Sequence, residues 1–365
     1  MQADAMPSTV PATPNRAKGS FQMNTRIGHR PLVVGSIPAF NWMAIRSLNA
    51  AGCRPFLIGH SRLSAHGLPP FCRGFARYEP ESCRPIPADA LGALGPEFVR
   101  YIARKARDFG AVVLIPTCLT SILSCLENPD ALEGLRLYVL PTADQIRTLN
   151  NKWHFSTLLR DADLPRPETV LLERVEDIDK IDFDPPYIVK PTCRAFAAGV
   201  VRCSDKAAIA RHMQSGALFS QPPLVAQKFL TGPEFCACFL AVDGEVRATA
   251  NFRDEKPFRA FIESPDIEQL VAAIVRATHY RGLGIIDMIK DERDGRFKPL
   301  EMNPRFWGSM LGSLDVGVNF VQLGLEATFG EPFTGARRPL IINQRRRVPI
   351  TQRIMVHLSK PAHHY

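Results

Sequence analysis

The segment from Gly284 to Gly308, GIIDMIKDERDGRFKPLEMNPRFWG, gathers the residues best suited to chemistry. Gly284 to Lys290 is apolar and β-branched, Asp291 to Gly295 is turn-forming, and Phe297 to Met302 alternates apolar with polar. An acid, Asp287, interrupts the first of these strands where a sheet would ordinarily place an apolar residue. Glu301 and Asn303 close the second strand two positions apart, so their side chains leave one face. A hairpin with this turn can bring Asp287 beside them. Three hard oxygen donors on one surface is the arrangement that suits a magnesium ion carrying phosphates. Arg305, on the exit loop, can reach a phosphate or a carboxylate bidentately. Taken singly, an acid in a strand is an edge residue or half of an ion pair, and Asn-Pro is a turn. The coincidence of Asp287, Glu301, Asn303 and Arg305 at this spacing is what points to a site.

The elements that must position this hairpin follow from periodicity. Pro31 starts a strand (Leu32 to Ile37), a helix (Asn41 to Ala51) stopped by Gly52, and a second strand (Arg54 to Gly59). That is a βαβ unit with parallel strands. Gly95 to Phe109 carries Phe98, Tyr101, Ile102, Ala106 and Phe109 on one helical face and leads to the strand Ala111 to Pro116. With Leu135 to Leu140 as a further strand, residues 31–143 read as a doubly wound α/β domain. Gly35 follows the first strand, but no G-x-G-x-x-G is present, so a dinucleotide site there would lack its phosphate-binding turn.

Asp144 to Ala162 reads as one helix, broken by Pro165 and Pro167. Tyr187 to Lys190 is a short strand, followed by the loop Thr192–Ala198 and the strand Gly199 to Cys203, which alone reads as a plain hairpin. Leu224 to Leu230 is an apolar strand, and Asp243-Gly244 joins Phe235–Val242 to Glu245–Asn251 in the chain's clearest hairpin. Asp266 to Thr278 is an amphipathic helix expected to pack on that sheet, and Asn319 to Phe329 is a last helix. From Glu331 onward proline and arginine dominate, so 331–365 reads as a poorly defined basic extension. Residues 1–30 are polar, with little apolar content, and read as a disordered tail, with an organelle transit segment as the alternative.

Composition sets the outer limits. A chain of 365 residues with 45% apolar content suits two or three packed subdomains. No apolar run approaches the roughly 20 residues of a membrane helix, so no membrane partner is expected. The net charge of +9 is spread along the chain, with Arg337, Arg338 and Arg345–Arg347 as its only dense cluster. No zinc-finger or aromatic RNA-binding signature accompanies it, and nucleic acid is not the expected partner. Nine cysteines without a CxxC pair suit reduced thiols in the cytoplasm. Cys236 and Cys238 share one face of a strand and read as buried small hydrophobes.

Together these pieces resemble the ATP-grasp superfamily of ligases over roughly Gln145 to Gly330. The likeness is greatest to its carbamoyl-phosphate-synthase-like and predicted carboligase branches. The residues that carry it are Glu301, Asn303, Pro304 and Arg305, followed by Trp307, Gly308 and Ser309. The resemblance implies an α/β and α+β fold: an N-terminal doubly wound α/β domain (31–143) and an ATP-grasp domain (144–330) of two α+β subdomains clasping ATP. It implies Lys152 and Lys190 as nucleotide-contacting lysines, Lys190 on the α and β phosphates. Gln227, Lys228, Phe229 and Leu230 match the hinge strand whose backbone reads adenine, and Glu234 the acid on the ribose. Asp287, Glu301 and Asn303 match ligands of two Mg²⁺ ions, with Mn²⁺ as an alternative, and Arg305 the arginine that steadies the transferred phosphoryl group.

The implied activity is ADP-forming ligation of a carboxylate to an amine or other nucleophile through an acyl phosphate, on small-molecule substrates, by a default homodimer. Alternatives are a bicarbonate-using carboxylase or carbamoyl-phosphate-type enzyme, and a non-catalytic ATP-binding module. The chain departs from the family in two places. Thr192–Ala198 has few of the expected glycines, and Asn251–Ser264 lacks the glycine-serine run of close carboligase relatives. His279 and Lys256 are weaker candidates for contacting the acid.

Overall fold

The computed structural model describes residues 29–59, 71–77, 92–194, 196–255 and 257–348. Residues 1–28 of the expected N-terminal tail, Lys256 and the end of the chain beyond 348 lie outside the described residues.

The first layer is a parallel sheet with helices between its strands. Its elements are β1 (Pro31–Val34), α1 (Pro38–Ala50), β2 (Phe56–Gly59), β3 (Gly74–Arg77), α2 (Pro96–Phe109), β4 (Val113–Pro116), α3 (Leu119–Glu127) and β5 (Arg136–Leu137). The strand order is β3-β2-β1-β4-β5, so successive strands are added first on one side of β1 and then, from β4, on the other. The strand expected over 135–140 shrinks to two residues: the Tyr138 N–H still bonds the Leu114 carbonyl of β4 (2.9 Å), but the Val139 N–H turns away to Thr328 Oγ1 (2.8 Å). The apolar stripe of α2 buries Phe98, Ile102 and Ala106 against β1 and β4 neighbours such as Leu32 and Leu114.

Two helices then lead out, α4 (Ala143–Asn150) and α5 (Lys152–Asp161). The single helix expected over 144–162 is interrupted because Asn151 caps α5, its Oδ1 accepting from the N–H groups of Trp153 and His154. A four-stranded antiparallel sheet follows, built from β6 (Thr169–Leu172), β7 (Tyr187–Pro191), β8 (Val201–Cys203) and β9 (Leu224–Lys228), with α6 (Lys206–Gln214). Its order is β6-β9-β7-β8.

The largest sheet has six strands in the order β14-β13-β10-β11-β12-β15. They are β10 (Glu234–Val242), β11 (Glu245–Glu255), β12 (Phe258–Ile262), β13 (Gly282–Lys290), β14 (Phe297–Asn303) and β15 (Arg345–Arg347). The helices α7 (Pro265–Thr278), α8 (Met310–Asp315) and α9 (Phe320–Phe329) complete the chain. Alternation along β10 sorts the two faces. Phe235, Ala237, Phe239 and Ala241 pack with α5 and α7, whereas Cys236, Cys238 and Leu240 join a core with α1, α8 and α9. The expected formless extension is corrected over 331–348. Its backbone bonds to Thr249, Val316 and Phe261 before β15 pairs with the free edge of β12. An edge strand recruits any chain able to supply a ladder of backbone groups, which polar composition does not forbid.

Candidate functional site

Asp287 and Glu301 are paired in register across β13 and β14, and Asn303 pairs with Ile285 two positions on. The hairpin therefore sets all three on one face of the large sheet, the face that carries Cys236. Just outside it, Gly232 adopts φ +143°, and a Cβ there would sit 2.0 Å from the Lys290 carbonyl oxygen. Only glycine fits so close a crossing. The flanking bonds, Lys290 N–H to Pro233 and Glu292 N–H to Thr231, fasten the β9–β10 connection to the hairpin turn.

The hairpin forms one wall of a cleft of about 1270 Å³ between the two antiparallel sheets. Lys190, Gln227, Lys228, Phe229, Leu230, Glu234, Asp287, Glu301, Asn303 and Arg305 all line it. Lys152 does not. It is buried at the first turn of α5, with its N–H on the Thr192 carbonyl (2.8 Å) and its Nζ donating to the Arg194 carbonyl (2.7 Å). The same Nζ lies 3.1 Å from Glu301 Oε2, so Lys152 ties the loop after β7 to the acidic hairpin. His279 is an exposed left-handed cap of α7, away from the cleft.

Electrostatics distinguish the two carboxylates. Burial and the neighbouring Glu301 push Asp287 up to about 7. Burial alone would raise Glu301 as well, but Lys152 and Lys190 outweigh it and hold Glu301 down to about 2. Burial lowers Lys190 to about 8 against the opposing pull of Glu301, and its Nζ donates to the Leu300 carbonyl (3.4 Å). Arg305, also buried, donates to Asn303 Oδ1 (2.8 Å) and the Phe306 carbonyl (2.9 Å), with its guanidinium 4.9 Å over the Phe40 ring. Asn303 consequently turns its amide nitrogen, not its oxygen, toward Asp287 Oδ2 (3.4 Å) and Glu301 Oε1 (3.5 Å).

Among the described residues no group of three or more His, Cys, Asp or Glu side chains is gathered, so the metal-type set is two carboxylates and an amide. Its chemistry nonetheless fits a hard cation. Two carboxylates face one another in a buried site where Lys152 supplies one positive charge and the Asn303 amide only a neutral hydrogen bond, so a divalent cation would balance the remaining negative charge.

At the hinge, Gln227 is buried with its amide donating to Thr169 Oγ1 (3.1 Å), and Lys228 pairs with Glu168 (2.8 Å). The loop after β7 contributes Phe196 and Ala197, both with left-handed backbones (φ 58°) that non-glycine residues seldom adopt. Phe196 stacks on Phe40 (6.2 Å between centroids), so an aromatic anchor stands where glycines were expected.

Cys236 is the site residue that its sequence context hides. Its thiol donates to Asp287 Oδ1 (3.1 Å) from the adjacent strand β10. Only the β10–β13 register makes this contact. A buried acid is the one sequence signal that a donor must stand opposite it.

Residues 220–350 match a family described as ATP-grasp in the biosynthetic pathway with Ter operon. No curated protein matches the chain. Among solved structures it is similar to the biotin carboxylase domain dimer of 2-oxoglutarate carboxylase from Hydrogenobacter thermophilus, a complex with MgADP, ADP and bicarbonate. There the identity is 16%, with 84% of this chain and 70% of that one covered, at a TM-score of 0.63. An L-amino acid ligase from Bacillus licheniformis is 19% identical over 86% of this chain and 78% of that one (TM-score 0.59). An N5-carboxyaminoimidazole ribonucleotide synthetase from Thermotoga maritima is 15% identical over 86% and 79% (TM-score 0.58). At such identities the likeness is one of fold.

Proposed function

Taking the chain as the ATP-grasp superfamily protein that its fold and its matched segment support, we propose that it is an ADP-forming ligase. It joins a carboxylate to an amine or a comparable nucleophile. The observation that carries this reading is the convergence of Asp287, Glu301, Asn303, Lys190 and Arg305 on one cleft with the hinge residues Gln227 to Leu230 and Glu234.

In this reading ATP lies with its adenine against Gln227–Leu230, its ribose at Glu234 and its phosphates toward Lys190. Asp287 and Glu301 would hold magnesium, and Asn303 would add its oxygen after a half-turn of its amide. The bound metal would neutralise phosphate charge, which phosphoryl transfer needs more than covalent help from the protein. Lys190, held by the Leu300 carbonyl, supplies a fixed positive charge beside the phosphates. Arg305, held by the Phe306 carbonyl and stacked on Phe40, stays in place and presents its remaining donors to the acid and the transferred group. Lys152 acts through Glu301, keeping it ionised and fixing the loop above. The carboxylate oxygen attacks the γ-phosphorus and ADP leaves. The amine then attacks the acyl carbon, phosphate departs, and the amine loses a proton.

Screening acids and amines for ADP release, with mass detection of the product, tests this directly. Magnesium-dependent ATP binding without ADP formation across a broad panel would favour a non-catalytic binding module. Bicarbonate as the acid is a second reading, favoured by the carboxylase neighbour that holds it. Incorporation of labelled bicarbonate separates it from the first.

A further inference from the structure

The cleft is larger than the roughly 300–1,000 Å³ that suits a single small ligand, and it continues past the acidic hairpin. At that far end Arg259 of β12 lines the wall, and its side chain is only 16% exposed. Its Nε is buried without a hydrogen-bond partner. The guanidinium rests 5.2 Å over Phe252, and Asp254 Oδ1 lies 3.7 Å from Nε, beyond hydrogen-bonding distance.

Arg259 is paired in register with Arg346 of β15, whose Nε is likewise buried with no hydrogen bond. Directly opposed like charges weaken a ladder. Asp254, and Asp315 of α8, which senses the Arg346 charge, offset part of this but leave both nitrogens unbonded.

Register places this pair on the same face as the acids. Asp287 pairs with Cys236, Cys236 with Phe252, and Phe252 with Phe261, two residues from Arg259. Three strand spacings separate β13 from β12, roughly 14 Å. The wall between is mainly apolar, with Phe40, Phe252 and Trp307 along it, while Pro257, Val348 and the acid Asp254, the cross-strand partner of Arg259, stand near Arg259.

We propose that this end of the cleft selects the acid: a doubly anionic molecule with an apolar middle, activated at one end beside Arg305 and held at the other by Arg259, with Arg346 reinforcing the charge. The inference rests on the ligase reading above. The recognised end group is an oxyanion, carboxylate or phosphate type, which a guanidinium meets with paired donors.

The test uses the full-length protein with MgATP. It is offered α,ω-dicarboxylates of increasing length, ω-phosphonocarboxylates and monocarboxylates of matching length, with ADP release recorded for each. One doubly anionic series should show a KM roughly tenfold or more below that of its monoacid, the size of one charge-assisted hydrogen bond. Which series does so separates the two end groups. Arg259→Gln should raise that KM to the monoacid's value while leaving the KM for ATP unchanged, and Arg346→Gln should do so in part. Arg345→Gln, at a side chain paired with Glu255, should change neither. Thermal melts establish that each variant folds, and the panel on the unaltered protein needs no variant.

Equal KM values for the two classes overturn the proposal. So does a loss in Arg259→Gln shared by mono- and dianionic acids. MgATP binding by calorimetry with no ADP release from any acid, or failure to bind MgATP at all, overturns instead the ligase reading on which the proposal rests.

Discussion

On one face of the six-stranded sheet, the β13–β14 edge and the β12–β15 edge hold charge in different ways. At the first, every ionic group is matched: Glu301 with Lys152, Asp287 with Cys236 and the Asn303 amide, Arg305 with Asn303 and Phe40. At the second, two opposed arginines keep buried nitrogens without hydrogen bonds. A preorganised network suits groups that must stabilise charge as it develops. Unsatisfied donors suit a place where a ligand completes the bonding, since a buried unmade hydrogen bond is costly until then. In the proposed reading, one sheet face carries a fixed catalytic end and an adaptable recognition end.

The largest effect expected at the matched edge is that of Glu301→Gln. It removes a carboxylate from the site and the partner of Lys152, so ADP release should fall by roughly a thousandfold or more with the melting transition retained. Near-normal turnover would dissolve the distinction between the two ends. Gly232→Ala should cost about 2–4 kcal/mol of stability, because its Cβ meets the Lys290 carbonyl and its backbone is strained. A melting temperature equal to that of the unaltered protein would mean the hairpin is not locked to the β9–β10 connection. Cys236→Ala should raise the magnesium concentration for half-maximal ADP release by roughly two- to tenfold, as one neutral hydrogen bond implies, and Cys236→Ser should restore most of it. Identical magnesium curves for all three proteins would reduce Cys236 to packing.

A further expectation concerns the pH dependence of metal-free stability. Folded Asp287 keeps its proton up to about 7 against an ordinary 3.8, so the folded state binds more protons in that window. Stability contributed by this group is present below the lower value and is lost as pH rises through the higher one. Glu301 works in reverse, adding stability as pH rises from about 2 to its ordinary 4.5. Melts in chelator should therefore decline from about pH 4 to 7, and Asp287→Asn should flatten that decline. An undiminished slope in Asp287→Asn would assign it to other groups.

Much of the scaffold was legible because its signals are local. The stripe on α2, the Asp243-Gly244 turn between β10 and β11, and the polar turn between β13 and β14 each follow from spacing or turn chemistry alone. The break at Asn151 was missed because a capping side chain inside a continuous helical pattern resembles any polar surface residue. β15 was missed because three consecutive arginines carry no strand signal, and only the vacant edge of β12 makes them one.

By itself the sequence determined the residue types and their alternation. Asp287, Glu301 and Asn303 share a face because side chains in strands alternate, and Lys190 sits next to a strand's last residue whatever packs above it. Tertiary structure alone decided the partners across strands and between sheets. It set Cys236 against Asp287, Lys152 against Glu301 rather than the cleft, Phe196 against Phe40, and Arg259 against Arg346. The reason is that register and sheet packing are set by the summed burial of whole faces, and a shift of one residue would exchange every such pair without altering any local pattern.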